Sequence, residues 1–231
     1  MKLEKITRLH GKRYEDACGT ALGLEILGER WALLVVRELM LGPKRFGDLR
    51  ASLRGLSANV LTQRLEGLEA AGVVARRRLP PPASVQVYEL TPWGLEAEPI
   101  IQTMGRWAAR SPDHDASLPL SPVGMMLSLR TMFDAGKAGA ARMALGLRFG
   151  AESFVVRVAD GVLTAARAGP EGLGPEGVEA VVTGTPEAVA AAVYGDGAWP
   201  PAGLTLEGEA EAFRRFAGWF ELPTKAERPA A

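Results

Sequence analysis

Residues 45–72 read RFGDLRASLRGLSANVLTQRLEGLEAAG, and two short helices with a glycine turn between them are legible in that stretch. In RFGDLRASL, Phe46, Leu49 and Leu53 recur at spacings of three and four, the period of one helix face. Arg54-Gly55 turns the chain. Ser57 then offers an oxygen to the free amides of a second helix, ANVLTQRLEGLEAAG. In it Val60, Leu61, Leu65 and Leu68 form the apolar face, and Gly72 ends it. Two helices joined by a short glycine-containing turn make a helix-turn-helix.

The flanks supply what such a pair needs for burial. Upstream, the spacing predicts a helix from Tyr14 to about Leu27, with Ala17, Ala21, Leu24 and Gly28 on one stripe. A second is predicted from about Arg30 to Leu41, with Trp31, Leu34, Val35 and Leu39 apolar, stopped by Gly42-Pro43. Downstream, the period changes to two: VVARRRL and SVQVYEL read as strands around PPPA, a hairpin or wing. LTPWGLEAEPIIQTMGRWAARS follows as a closing helix with Thr91 as cap and Pro92 in its first turn. It is interrupted near Pro99 and offers Leu95, Ile100, Ile101, Met104 and Trp107 for burial.

The side chains left over on the second helix of the pair carry the chemistry. A helix that enters the major groove needs short polar groups at its N-terminal end, where they can reach base edges. Ser57, Asn59, Thr62 and Gln63 lie off the leucine stripe; Asn and Gln match adenine bidentately, and Ser and Thr reach bases or phosphates. Arg64 is a further candidate for a guanine or a phosphate. Lys44, Arg45, Arg50, Arg54 and the wing run Arg76, Arg77 and Arg78 are candidate phosphate contacts. Between Arg30 and Arg78 stand ten basic and four acidic residues, which weights this region toward a polyanion rather than a neutral partner.

The net charge of zero conceals that bias. Residues 1–112 hold 17 Lys and Arg against 12 Asp and Glu, whereas residues 113–231 hold 10 against 15, so only the first half is suited to nucleic acid. Composition, 47% hydrophobic and 23% charged, is that of a globular chain rather than a disordered one. No apolar run spans a bilayer, the charged N-terminus lacks a signal-peptide core, and the one cysteine, Cys18, has no internal partner; a cytoplasmic protein is expected. His10 and His114, the two histidines, fall in segments read as flexible, and neither a GxxxxGK[ST] loop nor a Cys/His cluster occurs. No enzyme activity, no cofactor and no metal are therefore expected.

From Cys18 to about Ala108 the chain resembles the HxlR-type winged helix-turn-helix transcriptional regulators. The resemblance rests on EILGERWALLVVRELMLGPKRFGDL, LSANVLTQRLEGLEAAGVVARR and VQVYELTPWG, in the family's order and spacing. It departs at GER before Trp31 and in the PPPAS wing tip. The resemblance implies a homodimer on a pseudo-palindromic double-stranded DNA operator, with the first and closing helices forming the dimer interface. It also implies a role for Cys18, since some members sense electrophiles through a cysteine near the start of the first helix. Lys12 and Arg13 would favour its thiolate; the alternative is a small apolar residue buried in the helix pair.

Ser111–Pro122, SPDHDASLPLSP, reads as a linker, giving a DNA-binding domain over 1–110, the linker over 111–122 and a second domain over 123–231. In the second domain PVGMMLSLRTMFDA predicts a helix. ARMALGLRF, ESFVVRV, GVLTAAR and VEAVVTG predict strands, with Asp160-Gly161 as a hairpin turn. TPEAVAAAVYGD is a capped helix, GLTLEG a strand, and EAEAFRRFAGWFEL a final helix. The fold class is α+β. This order resembles the sterol carrier protein type 2 family, through VEAVVTGTPEAVAAAVYGDG and LTLEGEAEAFRRF. That resemblance implies an apolar tunnel and a lipophilic small-molecule effector. Met125, Met126, Met132 and Met143 either line such a pocket or are simply core; a lipid-carrier or dimerisation module is the other reading of this domain.

Overall fold

The structure, a computed structural model, describes residues 14–169, 173, 177–197 and 199–228. His10, Lys12 and Arg13 lie outside the described residues. The chain divides into two compact units, Met1–Ile101 and Gln102–Ala231. Among the described residues no helix is long and apolar enough to cross a membrane.

The first unit runs α1 (Gly19–Leu27), α2 (Ala32–Leu39), α3 (Phe46–Ser52), α4 (Ala58–Ala70), β1 (Val74–Arg78), β2 (Gln86–Leu90), α5 (Pro92–Leu95) and the first turn of α6 (Glu98–Ala109). Helix α1 starts later than its spacing predicts, because the Asp16 carboxylate accepts the Cys18 amide at 2.9 Å and holds the chain in a side-chain turn. Only Ala21 of the expected stripe is buried, and Leu24 is 51% exposed. Trp31 is not part of the α2 stripe either: it precedes the helix with φ 79°, half-buried, and Leu34 points outward.

Val35, Val36 and Leu39 of α2, Leu49 of α3 and Leu61, Leu65 and Leu68 of α4 are buried together with Val74 and Val87. That burial of leucine and valine faces, at about 1.5–3 kcal/mol for each large side chain, is the main force holding the helices on the hairpin. Strands β1 and β2 pair antiparallel from Val74↔Leu90 to Arg78↔Gln86, and Lys44 bridges to Tyr88 on the outer side of β2. The closing helix is two helices. A continuous helix would drive the Pro99 ring into the carbonyl of Leu95, and Leu95 is where α5 stops. Thr91 caps α5 by accepting the Gly94 amide at 3.0 Å. Gly94 is required by contact: a Cβ there would stand 2.2 Å from the Val73 carbonyl oxygen. The burial expected of the closing helix is not met among the described residues, where Leu95, Ile100, Met104 and Trp107 are 48–74% exposed.

The second unit contains the rest of α6, then α7 (Pro122–Met132), α8 (Ala135–Ala138), β3 (Met143–Phe149), β4 (Glu152–Ala159), β5 (Val162–Arg167), β6 (Ala180–Thr183), α9 (Pro186–Tyr194), β7 (Thr205–Gly208) and α10 (Ala210–Ala217). Its sheet has the order β5-β4-β3-β6-β7, with β6 parallel to β3 and the other pairs antiparallel. The β4–β5 turn falls at Asp160 (φ 53°) and Gly161 (φ 74°), as the Asp-Gly pair predicts. Register puts Leu147, Phe154 and Val182 on one sheet face, and all three are buried; Arg157, Thr164 and Ala166 on the other are exposed. Met125, Met126, Met132 and Met143 are buried, as are Phe213, Phe216, Trp219 and Phe220 at the end of the chain. The fold class is mixed α+β.

Candidate nucleic-acid interface

Helix α3, a turn in which Gly55 takes φ 83°, and α4 form the helix-turn-helix. The left-handed turn residue is why glycine stands there. Ser57 caps α4 by accepting the Val60 amide at 3.3 Å. With Leu61, Leu65 and Leu68 at 0–1% exposure, the opposite edge of the helix is fixed, and Ser57, Asn59, Thr62 and Gln63 all face solvent. Thr62 donates its hydroxyl hydrogen to the Ala58 carbonyl at 3.0 Å, which leaves its oxygen lone pairs and methyl group outward. The helix end also leaves backbone amides pointing beyond its N-terminus, a favourable place for a phosphate.

The basic residues separate into three groups. Arg45, Arg50 and Arg54 are exposed on α3 and the turn, and Arg50 and Arg54 form no ion pair among the described residues. Arg76, Arg77 and Arg78 are exposed on the wing. There Arg76 pairs with Glu69 at 3.0 Å and lies over the Tyr88 ring, Arg77 pairs with Glu89 at 2.8 Å, and Arg78 donates to the Ser84 carbonyl at 3.4 Å. Such exposed pairs contribute about 0–1 kcal/mol, so a phosphate can displace the carboxylates at little cost. Glu89 competes for Arg77, and hairpin register alone indicates it, two positions along the same face from the partner of Arg77.

Two of the expected contacts are placed elsewhere. Lys44 is 4% exposed; its ammonium donates to Glu38 at 3.0 Å and to Ser52 at 2.9 Å inside the unit, so it does not present a charge to a duplex. Arg64 is turned back toward the α1–α2 junction, where it donates to the Arg30 carbonyl at 2.9 Å and pairs with Glu29 at 3.0 Å. Arg30 in turn lies over the Trp31 ring at 5.6 Å. Arg64 therefore ties α4 to that junction rather than reaching outward.

Cys18 is exposed at the start of α1, so the reading as a buried apolar residue is corrected. The Thr20 amide, then the Thr20 hydroxyl and the Ala21 amide, hold its thiol below the usual cysteine range. Among the described residues no group of three or more His, Cys, Asp or Glu side chains is arranged to hold a metal ion.

Comparison with known proteins places these features in a family. The HxlR-like helix-turn-helix model matches residues 26–116. The transcriptional regulator YvaP of Bacillus subtilis is 39% identical over 85 residues, which are 37% of this chain and 79% of YvaP. The transcriptional regulator YodB of the same organism is 36% identical over 83 residues, 36% of this chain and 74% of YodB. The solved reduced form of YodB aligns with a TM-score of 0.39 at 31% identity, covering 43% of this chain and all of that one. The matched residues include the helix-turn-helix and the wing whole, and the chain belongs to the HxlR-like helix-turn-helix family.

Proposed function

We propose that this chain, a transcriptional regulator of the helix-turn-helix type, acts as a homodimer on a specific operator in the cytoplasm. In this reading α4 enters the major groove, and Ser57, Asn59, Thr62 and Gln63 meet base edges and nearby phosphates. Arg45, Arg50, Arg54 and the wing arginines hold the backbone on either side. The observation that carries it is the two-edged character of α4: a leucine edge closed off in the core and a polar N-terminal edge left in water. The residues proposed for the dimer contact are apolar and exposed, Leu22 and Leu24 on the first helix and Ile100, Met104 and Trp107 on the closing helix. Selection of bound duplexes from random DNA, followed by gel shifts from about 50 to 200 mM salt, tests it. A shared pseudo-palindrome, bound with a steep inverse salt dependence, is expected; failure to enrich any sequence at any salt would remove the proposal.

For the remainder of the chain we propose a linker over 111–122 and a sterol-carrier-like domain over 123–231 that takes an apolar effector. The helix-covered sheet with its methionine- and aromatic-rich interior supports this, because methionine side chains repack readily around an apolar guest. A ligand there controls operator affinity only if it binds two dimer conformations unequally.

A second reading, control by oxidation or alkylation at Cys18, is favoured by the exposure of that thiol and its lowered pKa. A thiolate is the reactive form. Modification of Cys18 by iodoacetamide is therefore expected to reach half its maximal rate at lower pH than for free cysteine, and Cys18→Ser is expected to abolish diamide-induced release of DNA. Unchanged release from the serine variant would eliminate this mode of control.

A further inference from the structure

Arg167 ends β5 on the core-facing side of the sheet, opposite Phe154 in register. Its guanidinium lies over the Phe154 ring at 5.1 Å, and its Nη1 donates to the Glu152 carboxylate at 2.6 Å. The other edge is bare: Nε and Nη2 are both buried, and neither has a hydrogen-bond acceptor among the described residues. Buried donors of this kind are ordinarily satisfied. These two are a matched set, because Nε–H and one Nη2–H project side by side and in parallel, the fork that takes both oxygens of a carboxylate.

We propose that Arg167 is the headgroup site for a monocarboxylate whose apolar portion enters the interior of the second unit. This rests on, and gives a chemical class to, the apolar-effector reading above. Phe154 and Glu152 hold the guanidinium from one face and one edge, so the free fork is already oriented. Phe149 stands 6.1 Å from Phe154, centroid to centroid, and α7, buried at Met126 and Leu129, packs on β5. The polar fork thus adjoins an apolar layer, as an amphipathic acid requires. Glu152 beside the site supplies a negative charge that disfavours a dianionic group more than a single carboxylate.

The test is isothermal titration of the full chain with sodium octanoate, 1-octanol and sodium butyrate, repeated on Arg167→Lys and Arg167→Met, with circular dichroism as the check on folding. Octanoate is expected to bind about tenfold or more tightly than octanol, since two charge-assisted hydrogen bonds distinguish them. Arg167→Lys keeps the charge but loses the fork, and is expected to weaken octanoate by about tenfold while leaving octanol unchanged. Equal binding of octanoate and octanol, unaltered by either substitution, would overturn the carboxylate site and leave the apolar-effector reading standing. Butyrate binding as tightly as octanoate, with the same loss in Arg167→Lys, would support the fork and overturn the apolar interior. No heat from any of the three with folded wild-type protein would overturn both.

Discussion

Replacing Asn59 and Gln63 together by alanine is expected to remove operator preference while leaving salt-dependent binding to unrelated duplex in place. The two side chains are four residues apart on the exposed edge of α4, neighbours on one helix face. Each bidentate contact with a base is worth about 1–3 kcal/mol of discrimination. The pair should therefore reduce the preference for the selected duplex by on the order of 100-fold. Stability should hardly move, since both side chains are exposed and surface substitutions usually stay within about 0.5 kcal/mol. Arg50→Gln and Arg54→Gln make the contrast: each is expected to weaken all duplexes alike and to lower the slope of log affinity against log salt by about one. Gel shifts of the four proteins on selected and scrambled duplexes separate the outcomes. Retained preference in the double alanine variant would mean that α4 does not read bases. Loss of all binding, with the circular dichroism unchanged, would make its polar edge a backbone grip.

The helix-turn-helix was legible because its signals are local. A capping serine, a glycine turn and leucines at spacings of three and four need no knowledge of the rest of the chain, and the structure places Ser57, Gly55 and Leu61, Leu65 and Leu68 accordingly. The Asp-Gly turn and the caps at Thr91 and Thr185 are local in the same way. What failed depended on distance. Apolar residues on the closing helix imply a buried face, but periodicity does not say whether anything covers it; Trp107 is 74% exposed among the described residues. Arg64 has the composition of a DNA contact, yet its partners Glu29 and Arg30 are more than thirty residues away. Composition allows Cys18 to be buried or exposed; the Asp16 carboxylate accepts its amide, and the cysteine precedes the helix, exposed. Arg167 carried no signal at all, because an unfilled guanidinium edge is a property of packing and not of spacing.

Lys44 is where sequence and structure part most sharply, and substitution there is expected to act on folding rather than on charge. The lysine stands in a basic turn beside Arg45, which is why it reads as a phosphate contact. Its backbone is stitched to Tyr88 of the wing in both directions, the Lys44 amide donating at 3.0 Å and the Tyr88 amide at 2.9 Å. That pairing draws the side chain inward to Glu38 on α2, which is itself 0% exposed, and to Ser52 at the end of α3. One lysine thus joins three elements, its ammonium holding α2 and α3 and its backbone holding the wing. Lys44→Met leaves the Glu38 carboxylate without that partner, and breaking a buried pair from one side costs about 3–5 kcal/mol. Arg37, which donates to the other Glu38 oxygen at 2.9 Å, places the expectation at the lower end of that range. Removing the carboxylate as well, in Glu38→Leu with Lys44→Met, should restore most of the loss, because a well-packed apolar pair avoids the desolvation of both charges. Urea unfolding of the wild type, the single and the double variant measures that order. The salt dependence of operator binding decides between the two roles: a phosphate contact predicts a slope lower by about one in Lys44→Met with no change in the urea midpoint, whereas the buried pair predicts an unchanged slope and a lowered midpoint.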